Sequence, residues 1–381
     1  MRAALASAPV LAALLLMMAG AAAAPGEVGG ARLEPVSPAE LAGFPGPDAA
    51  KVLAAFRTLC TAPPPALPQA ASVAGDPQDL AAACDEAARV PPEGAAAFFR
   101  ERFEPFRIRR TDGRPGFLTG YFEPELAGSL EPGEGFTAAV LARPDDLVSL
   151  GPGETRPGLD PTLRAARATA AGFEPYPDRA AIEDGALGAK ARPILWLRDG
   201  IDLLVLQVQG SGRVRLPDGR VVRVLFDGKN GRPYTAVAKL MVEAGHLPLD
   251  GLTLAKWTGW LRDHPAEAKA LIRRNASYVF FRLAPVEDPG LGPPGAANAP
   301  LPPGIGLAVD ATLWRYGLPF WLEPQDGRSR LTLAADTGSA IVGPARGDLF
   351  LGTGAEAGIA AGNLRDATGF TVLLPRPRRA P

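Results

Sequence analysis

Leu333-Ala-Ala-Asp336-Thr-Gly-Ser-Ala-Ile-Val-Gly343-Pro-Ala-Arg-Gly-Asp348-Leu-Phe-Leu-Gly352 sets two acids twelve positions apart in otherwise small and apolar surroundings. Asp336 ends an apolar run and opens a turn of small residues. Asp348 follows a second turn and leads straight back into Leu349-Phe350-Leu351. Two β-strands joined by loops would hold each carboxylate on a loop shoulder between hydrophobic walls. Desolvation in such a place disfavours the charged form and raises a carboxylate pKa. A carboxyl still protonated near neutral pH can serve as a general acid.

The surrounding chain is large enough for one big or two ordinary domains, with 381 residues of which 47% are hydrophobic. A formal net charge of -1 gives no field that would favour nucleic acid or an anionic membrane. Arg376-Pro-Arg-Arg379 is the one basic run and reads as a solvated tail. Gly (44) and Pro (41) are abundant without a period, which calls for many turns rather than a repeat array. Two histidines and two cysteines leave little material for a metal site, and no cofactor motif is present.

Residues 1–24 read as a secretory signal: Arg2, an apolar core from Val10 to Met18, then Ala21-Ala-Ala-Ala24 for cleavage. The apolar stretch is short for a membrane span, although a retained anchor is the competing reading. No cysteine stands near the cleavage region to carry a lipid. The mature chain is thus expected to be exported to the periplasm, with outer-membrane association left open. In that oxidising compartment Cys60 and Cys84 are a disulfide candidate, closing a loop that holds the Pro-rich segment 62–68; two buried free thiols are the alternative.

The pattern along the chain is helices, a β block, helices and a second β block, which predicts an α+β, β-rich molecule of two lobes with a cleft between them. Residues 25–36 read as a loose N-terminus. Ser37-Pro38-Ala-Glu40 is a capping box, and helices are expected after Asp48, Asp76-Pro77 and Pro91-Pro92. Phe117–Phe122 reads as a strand, and 128–192 as long loops lining a groove. Ile194–Leu197 and Leu203–Gln209 read as a hairpin about Asp199-Gly200, and Val214–Leu216 with Val221–Phe226 as a second. Helices are expected at Tyr234–Glu243, around Leu254–Leu261 and after Pro265, and a strand at Tyr278–Leu283. Pro285–Pro303 reads as a plain linker or surface loop. Strands follow at 306–309, 319–323, 331–335, 349–351 and 370–374.

Asp336-Thr337-Gly338 is also the local signature of an aspartic protease, whose chemistry needs two aspartates sharing a proton. No second Asp-Thr-Gly or Asp-Ser-Gly occurs, so that reading requires a homodimer. Gln209-Gly-Ser-Gly212 would let a ligand approach the backbone closely, and Gly228-Lys-Asn-Gly231 is too short for a phosphate loop. By residue type alone, Asp348 could equally be a turn aspartate.

Taken in order, five blocks resemble the membrane-bound lytic murein transglycosylase A family: Leu118-Thr-Gly-Tyr-Phe-Glu-Pro124; Val208-Gln-Gly-Ser-Gly212; Gly228-Lys-Asn-Gly-Arg-Pro-Tyr234; Asn275-Ala-Ser-Tyr-Val-Phe-Phe-Arg282; and the opening stretch with Ala361-Gly362 and Val372-Leu-Leu-Pro375. The last block looks like that family's three-aspartate domain, with Asp310, Asp336 and Asp348 at the named positions.

The resemblance implies a double-psi β-barrel domain with an inserted second β domain and N-terminal helices. Its parts would be residues 25–122, an insert at 123–245, and 246–381 with the three-aspartate region at about 304–375. The partner would be peptidoglycan glycan strands lying between the lobes of a monomer. Asp348 would be the single catalytic acid/base, supported by Asp336. Thr119, Gln209 and Tyr234 would line the groove, Tyr121 or Tyr234 would stack on sugar faces, and Gly210 and Gly338 would let the polymer lie close to backbone. The reaction implied is cleavage of the MurNAc-β-1,4-GlcNAc bond with formation of a 1,6-anhydro end. A wall-binding module without catalysis is the third class. Three departures stand against the family pattern. Ser339 replaces a common glycine, the turn after Asp310 differs, and the lipobox cysteine is missing.

Overall fold

The computed structural model describes residues 26–65, 69, 74–151 and 154–377. The expected signal segment and the end of the basic tail lie outside them, as does part of the Pro-rich loop.

The chain opens with β1 (Glu27–Val28) and β2 (Ala31–Pro35), so the segment expected to be loose is paired. The Ser37 capping box forms, with Ala39 N donating to Ser37 Oγ and Ser37 N to Glu40 Oε1. Three helices follow: α1 (Ala49–Thr61), α2 (Pro77–Ala87) and α3 (Ala95–Arg102). Asp76 caps α2 by accepting from Gln78 N and Asp79 N. Cys60 and Cys84 form a disulfide between α1 and α2, with Cα atoms 5.5 Å apart. Then come β3 (Phe103–Arg110) and β4 (Gly116–Glu123).

The second lobe begins with β5 (Glu125–Ser129), β6 (Ala138–Leu141), β7 (Leu147–Ser149), β8 (Ala165–Thr169), β9 (Gly172–Pro175), α4 (Arg179–Glu183) and β10 (Pro193–Leu197). It continues with α5 (Gly200–Gln209), β11 (Ser211–Arg215), β12 (Val221–Lys229), α6 (Val237–Glu243), α7 (Leu254–Asp263), α8 (Pro265–Arg273) and β13 (Val279–Ala284). Residues 128–192 are therefore not merely loops, since β7, β8 and β9 make a small sheet of their own. The expected hairpin about Asp199-Gly200 is a strand followed by a helix. The Asp199 carboxylate accepts from Ile201 N and Asp202 N, which caps α5 rather than closing a turn. A short apolar run such as Leu203–Leu206 suits either element, and here α5 is buried on most sides.

After a connector the chain returns as β14 (Gly306–Val309), β15 (Pro319–Glu323), β16 (Arg330–Asp336), β17 (Arg346–Thr353), α9 (Gly354–Asn363) and β18 (Arg365–Pro375). The sequence reading had no helix at α9. The larger sheet runs β1-β2-β3-β18-β15-β16-β14-β17-β4, and β4 pairs again with β18. Those last six strands close into a ring. Leu118, Leu307, Phe320, Leu349, Phe370 and Val372 fill it, while α1–α3 cover one outer side through Phe56, Ala83, Phe98 and Phe99, packed with Phe103 of β3. The second sheet, β13-β12-β11-β5-β10-β6, draws on residues up to 284, beyond the 245 suggested by sequence.

Candidate active site

Period-two alternation builds the site. Leu349, Leu307 and Leu118 point into the ring, so their neighbours Asp348, Ala308 and Thr119 point out. Register aligns them: Ala308 of β14 is opposite Asp336 of β16 on one side and Asp348 of β17 on the other, and Asp348 is opposite Thr119 of β4. The two aspartates thus stand on one rung, two strand spacings or about 10 Å apart at the backbone.

Thr119 Oγ1 donates to Asp348 Oδ1 at 2.5 Å. Tyr121, two residues along β4 and hence on the same face, reaches Asp336 Oδ2 with its hydroxyl at 2.7 Å. The other oxygen of Asp336 accepts from Ala296 N and Thr337 N, both at 2.9 Å. Leu301, Ala335 and Phe350 form an apolar floor, with Tyr121 packed edge-on against Phe350. Each aspartate residue is half-buried.

This setting fixes the proton affinities. Burial pushes the Asp348 carboxyl up to about 6, against the Thr119 hydrogen bond and the Arg346 charge, with Asp336 adding to the rise. Burial also raises Asp336, opposed by its hydrogen bonds from Tyr121, Ala296 and Thr337. Tyr121 is held well above the ordinary phenol value by burial and then by Asp336, so it stays a hydrogen-bond donor.

Thr119, Tyr121, Asp336 and Asp348 therefore come together as one cluster. Gln209 ends α5 and its Oε1 accepts from Phe122 N at 3.2 Å, beside Tyr121. Gly210 is the left-handed cap of α5, with φ 80°. Gly338 is exposed on the loop after Asp336. Tyr234 belongs to the second lobe, is 36% exposed, and is not among the hydrogen-bond donors to either acid. Asp310 accepts from Thr312 N, Thr312 Oγ1 and Gly343 N, which pins the turn after β14 to the loop before β17.

Three participants escaped the sequence reading. Arg346 donates from Nη2 to Thr119 Oγ1 at 2.7 Å and lies over the Phe117 ring. Its spacing from Asp348, i and i+2 on a strand, was a usable signal. Burial lowers the Tyr316 acidity further, and Asp336 is its next influence. The third participant is the connector 285–303, which is not a plain linker. Ala297, Ala299 and Leu301 are buried, and a Cβ on Gly295 would lie 2.5 Å from Ala335 O. Glycine there is close packing against the floor of the site, which composition alone cannot distinguish from flexibility.

Known proteins resemble this chain in sequence and fold. Residues 117–282 match the family model of the MltA specific insert domain, and 305–374 match that of the 3D domain. The crystal structure of a membrane-bound lytic murein transglycosylase from Agrobacterium tumefaciens is 35% identical, with TM-score 0.78, covering 90% of this chain and 98% of that one. MltA from Neisseria gonorrhoeae is 27% identical, with TM-score 0.70, covering 93% and 94%. The membrane-bound lytic murein transglycosylase A of Vibrio cholerae is 31% identical over 204 residues, 50% of this chain. The match spans about half of that curated relative, 53% of its length. With both family models in order and a relative matched end to end, the chain belongs to the membrane-bound lytic murein transglycosylase A family.

Proposed function

We propose that this chain is a peptidoglycan lytic transglycosylase in which Asp348 is the only acid/base. The observation that carries the reading is Asp348 itself. It is a carboxyl raised to about 6, bonded to Thr119 and placed on the outer row beside Asp336. Protonated Asp348 donates to the glycosidic oxygen between N-acetylmuramic acid and N-acetylglucosamine, and that bond breaks. The resulting carboxylate takes the proton of the muramic acid C6 hydroxyl as its oxygen bonds to C1. The proton is returned to Asp348, no water is consumed, and the product carries a 1,6-anhydro ring. This differs from hydrolytic glycosidases, which need two carboxylates and water. A polymer lying over the row would displace the remaining solvent and favour the protonated acid further.

Asp336, held by three donors of its own chain, is a positioning and electrostatic residue beside the reacting centre. Those donors argue against the dimeric aspartic-protease reading, because the acid next to Asp336 is Asp348 of the same chain. We read the ring of six strands as the double-psi barrel, and the 125–284 region as its insert. The mature chain acts in the periplasm; among the described residues no helix is long and apolar enough to cross a membrane.

The test is digestion of purified sacculi by the mature chain, followed by mass analysis of the released muropeptides. Anhydro ends support the proposal and reducing ends make the protein a hydrolase. Intact sacculi that bind the chain equally before and after Asp348→Asn make it a binding module.

A further inference from the structure

The Gly228-Lys-Asn-Gly231 turn has no part in the chemistry above, yet it is among the most constrained segments of the second lobe. Asn230 is fully buried; its Nδ2 donates to Pro177 O at 2.9 Å and Ala276 O at 2.8 Å, and its Oδ1 accepts from Tyr278 N at 2.9 Å. Gly231 has φ +71°, and a Cβ there would lie 2.1 Å from Ala165 N. Lys229, between these anchors, is paired in the sheet opposite Val279. Its side chain is thus aimed by a rigid frame.

What it is aimed at is the other lobe. Lys229 Nζ donates to Ser339 Oγ at 2.8 Å, on the loop three residues past Asp336, within about 10 Å of chain reach. Among the described residues no carboxylate lies within ion-pair distance of this ammonium. Burial and the charge of Arg164 both disfavour its protonated form. A half-buried ammonium with only a neutral hydroxyl for a protein partner is incompletely compensated, and a carboxylate would serve it better. Ser339 itself is exposed, so the approach is open.

We propose that Lys229 is a specificity residue of the inter-lobe groove, pairing with a carboxylate borne on the 3-O-lactyl arm of muramic acid. This rests on the glycan-strand reading above. The glycan backbone is otherwise neutral, so a cation beside it discriminates muramic acid from its unsubstituted neighbour. The carboxylate has two possible sources, the lactyl group of a peptide-free strand or the stem peptide amidated to it.

Calorimetric titration of the full mature chain in the Asp348→Asn background keeps ligands intact and separates the cases. Three ligands are compared: a neutral N-acetylglucosamine hexamer, a peptide-free alternating oligomer with free lactyl carboxylates, and the same oligomer with stem peptides. Adding Lys229→Met is expected to weaken an anionic ligand on the order of tenfold and to leave the neutral hexamer unchanged. Lys229→Arg should retain the preference. Loss on the peptide-free oligomer assigns the lactyl carboxylate, and loss only on the peptide-bearing one assigns the stem. Equal weakening of all three ligands would make Lys229 a structural latch to Ser339, and no weakening would leave it without a role; either overturns the inference. If the Asp348→Asn parent binds none of the three, the glycan reading itself fails.

Discussion

Asp348 and Asp336 carry the same functional group, but their neighbours differ. Asp336 accepts from three donors, two of them rigid backbone amides, whereas Asp348 accepts from one threonine hydroxyl. On the proposed reading, the less encumbered group is the one that exchanges a proton. Activity that needs the acid form should be flat below pH 6 and fall about tenfold per unit above it, read from the initial rate of sacculus solubilisation. Arg346 lowers the Asp348 proton affinity, so Arg346→Met should move this falling limb to higher pH. A residue that merely shaped the strand would lower the rate at every pH and leave the limb in place. Stability follows the same proton. The folded chain holds it up to about 6 and the unfolded chain only to 3.8, so stability declines as pH rises between those values and is level above. Asp348→Asn escapes this decline. It should be inactive yet about 1–2 kcal/mol more stable than the parent at pH 7, the full shift being discounted because the residue is only half-buried. Thermal unfolding of both proteins across pH 4–8 tests the sign.

At the scale of elements, legibility in the sequence tracked how local the cause was. The Ser37 capping box, the Asp76-capped helix α2 and the strands of the last β block could be read because caps and alternation act within a few residues. The resemblance gave Thr119 only as a groove-lining position; its pairing with Asp348 was not legible, since it joins residues 229 positions apart across a parallel strand pair. Two misreadings share one origin. Asp199-Gly200 and the Gly-rich connector both use turn residues, and in both places tertiary packing decided what those residues did. In α5 the Asp199 carboxylate serves the helix end and also receives Arg262 Nε at 3.0 Å. Asp199→Ala should therefore cost about 1 kcal/mol in urea unfolding, an ordinary N-cap loss, where a hairpin turn would have tolerated it. The far end of α5 holds Gln209 against Phe122, so a frayed helix would also loosen the lobe contact beside Tyr121.

At the scale of the whole molecule, one buried carboxylate joins segments of both lobes. Glu123, at the end of β4, is fully buried. Its oxygens receive Arg213 of β11 at 2.8 Å, Arg223 of β12 at 2.7 Å and the Thr353 hydroxyl at the end of β17 at 2.9 Å. The same two arginines donate onward to Pro289 O and Leu291 O in the connector returning to the ring. Ring, second sheet and connector thus meet at a single charge, though the sequence marks Glu123 only as part of the Leu118–Pro124 resemblance block and does not show that it is buried. Glu123→Ala would leave two guanidiniums buried without a counter-charge, at a cost of about 3–5 kcal/mol. Because Glu123 touches neither aspartate, the pH at which activity falls should not move. On the proposed glycan-strand reading, lobe orientation governs how a long strand lies over the row, so KM for polymeric substrate should rise more than kcat falls. Calorimetric unfolding together with a pH–rate profile decides the matter. A stability loss below about 1 kcal/mol would mean the junction is held elsewhere, and a displaced pH limb would mean that the disturbance reaches Asp348 itself.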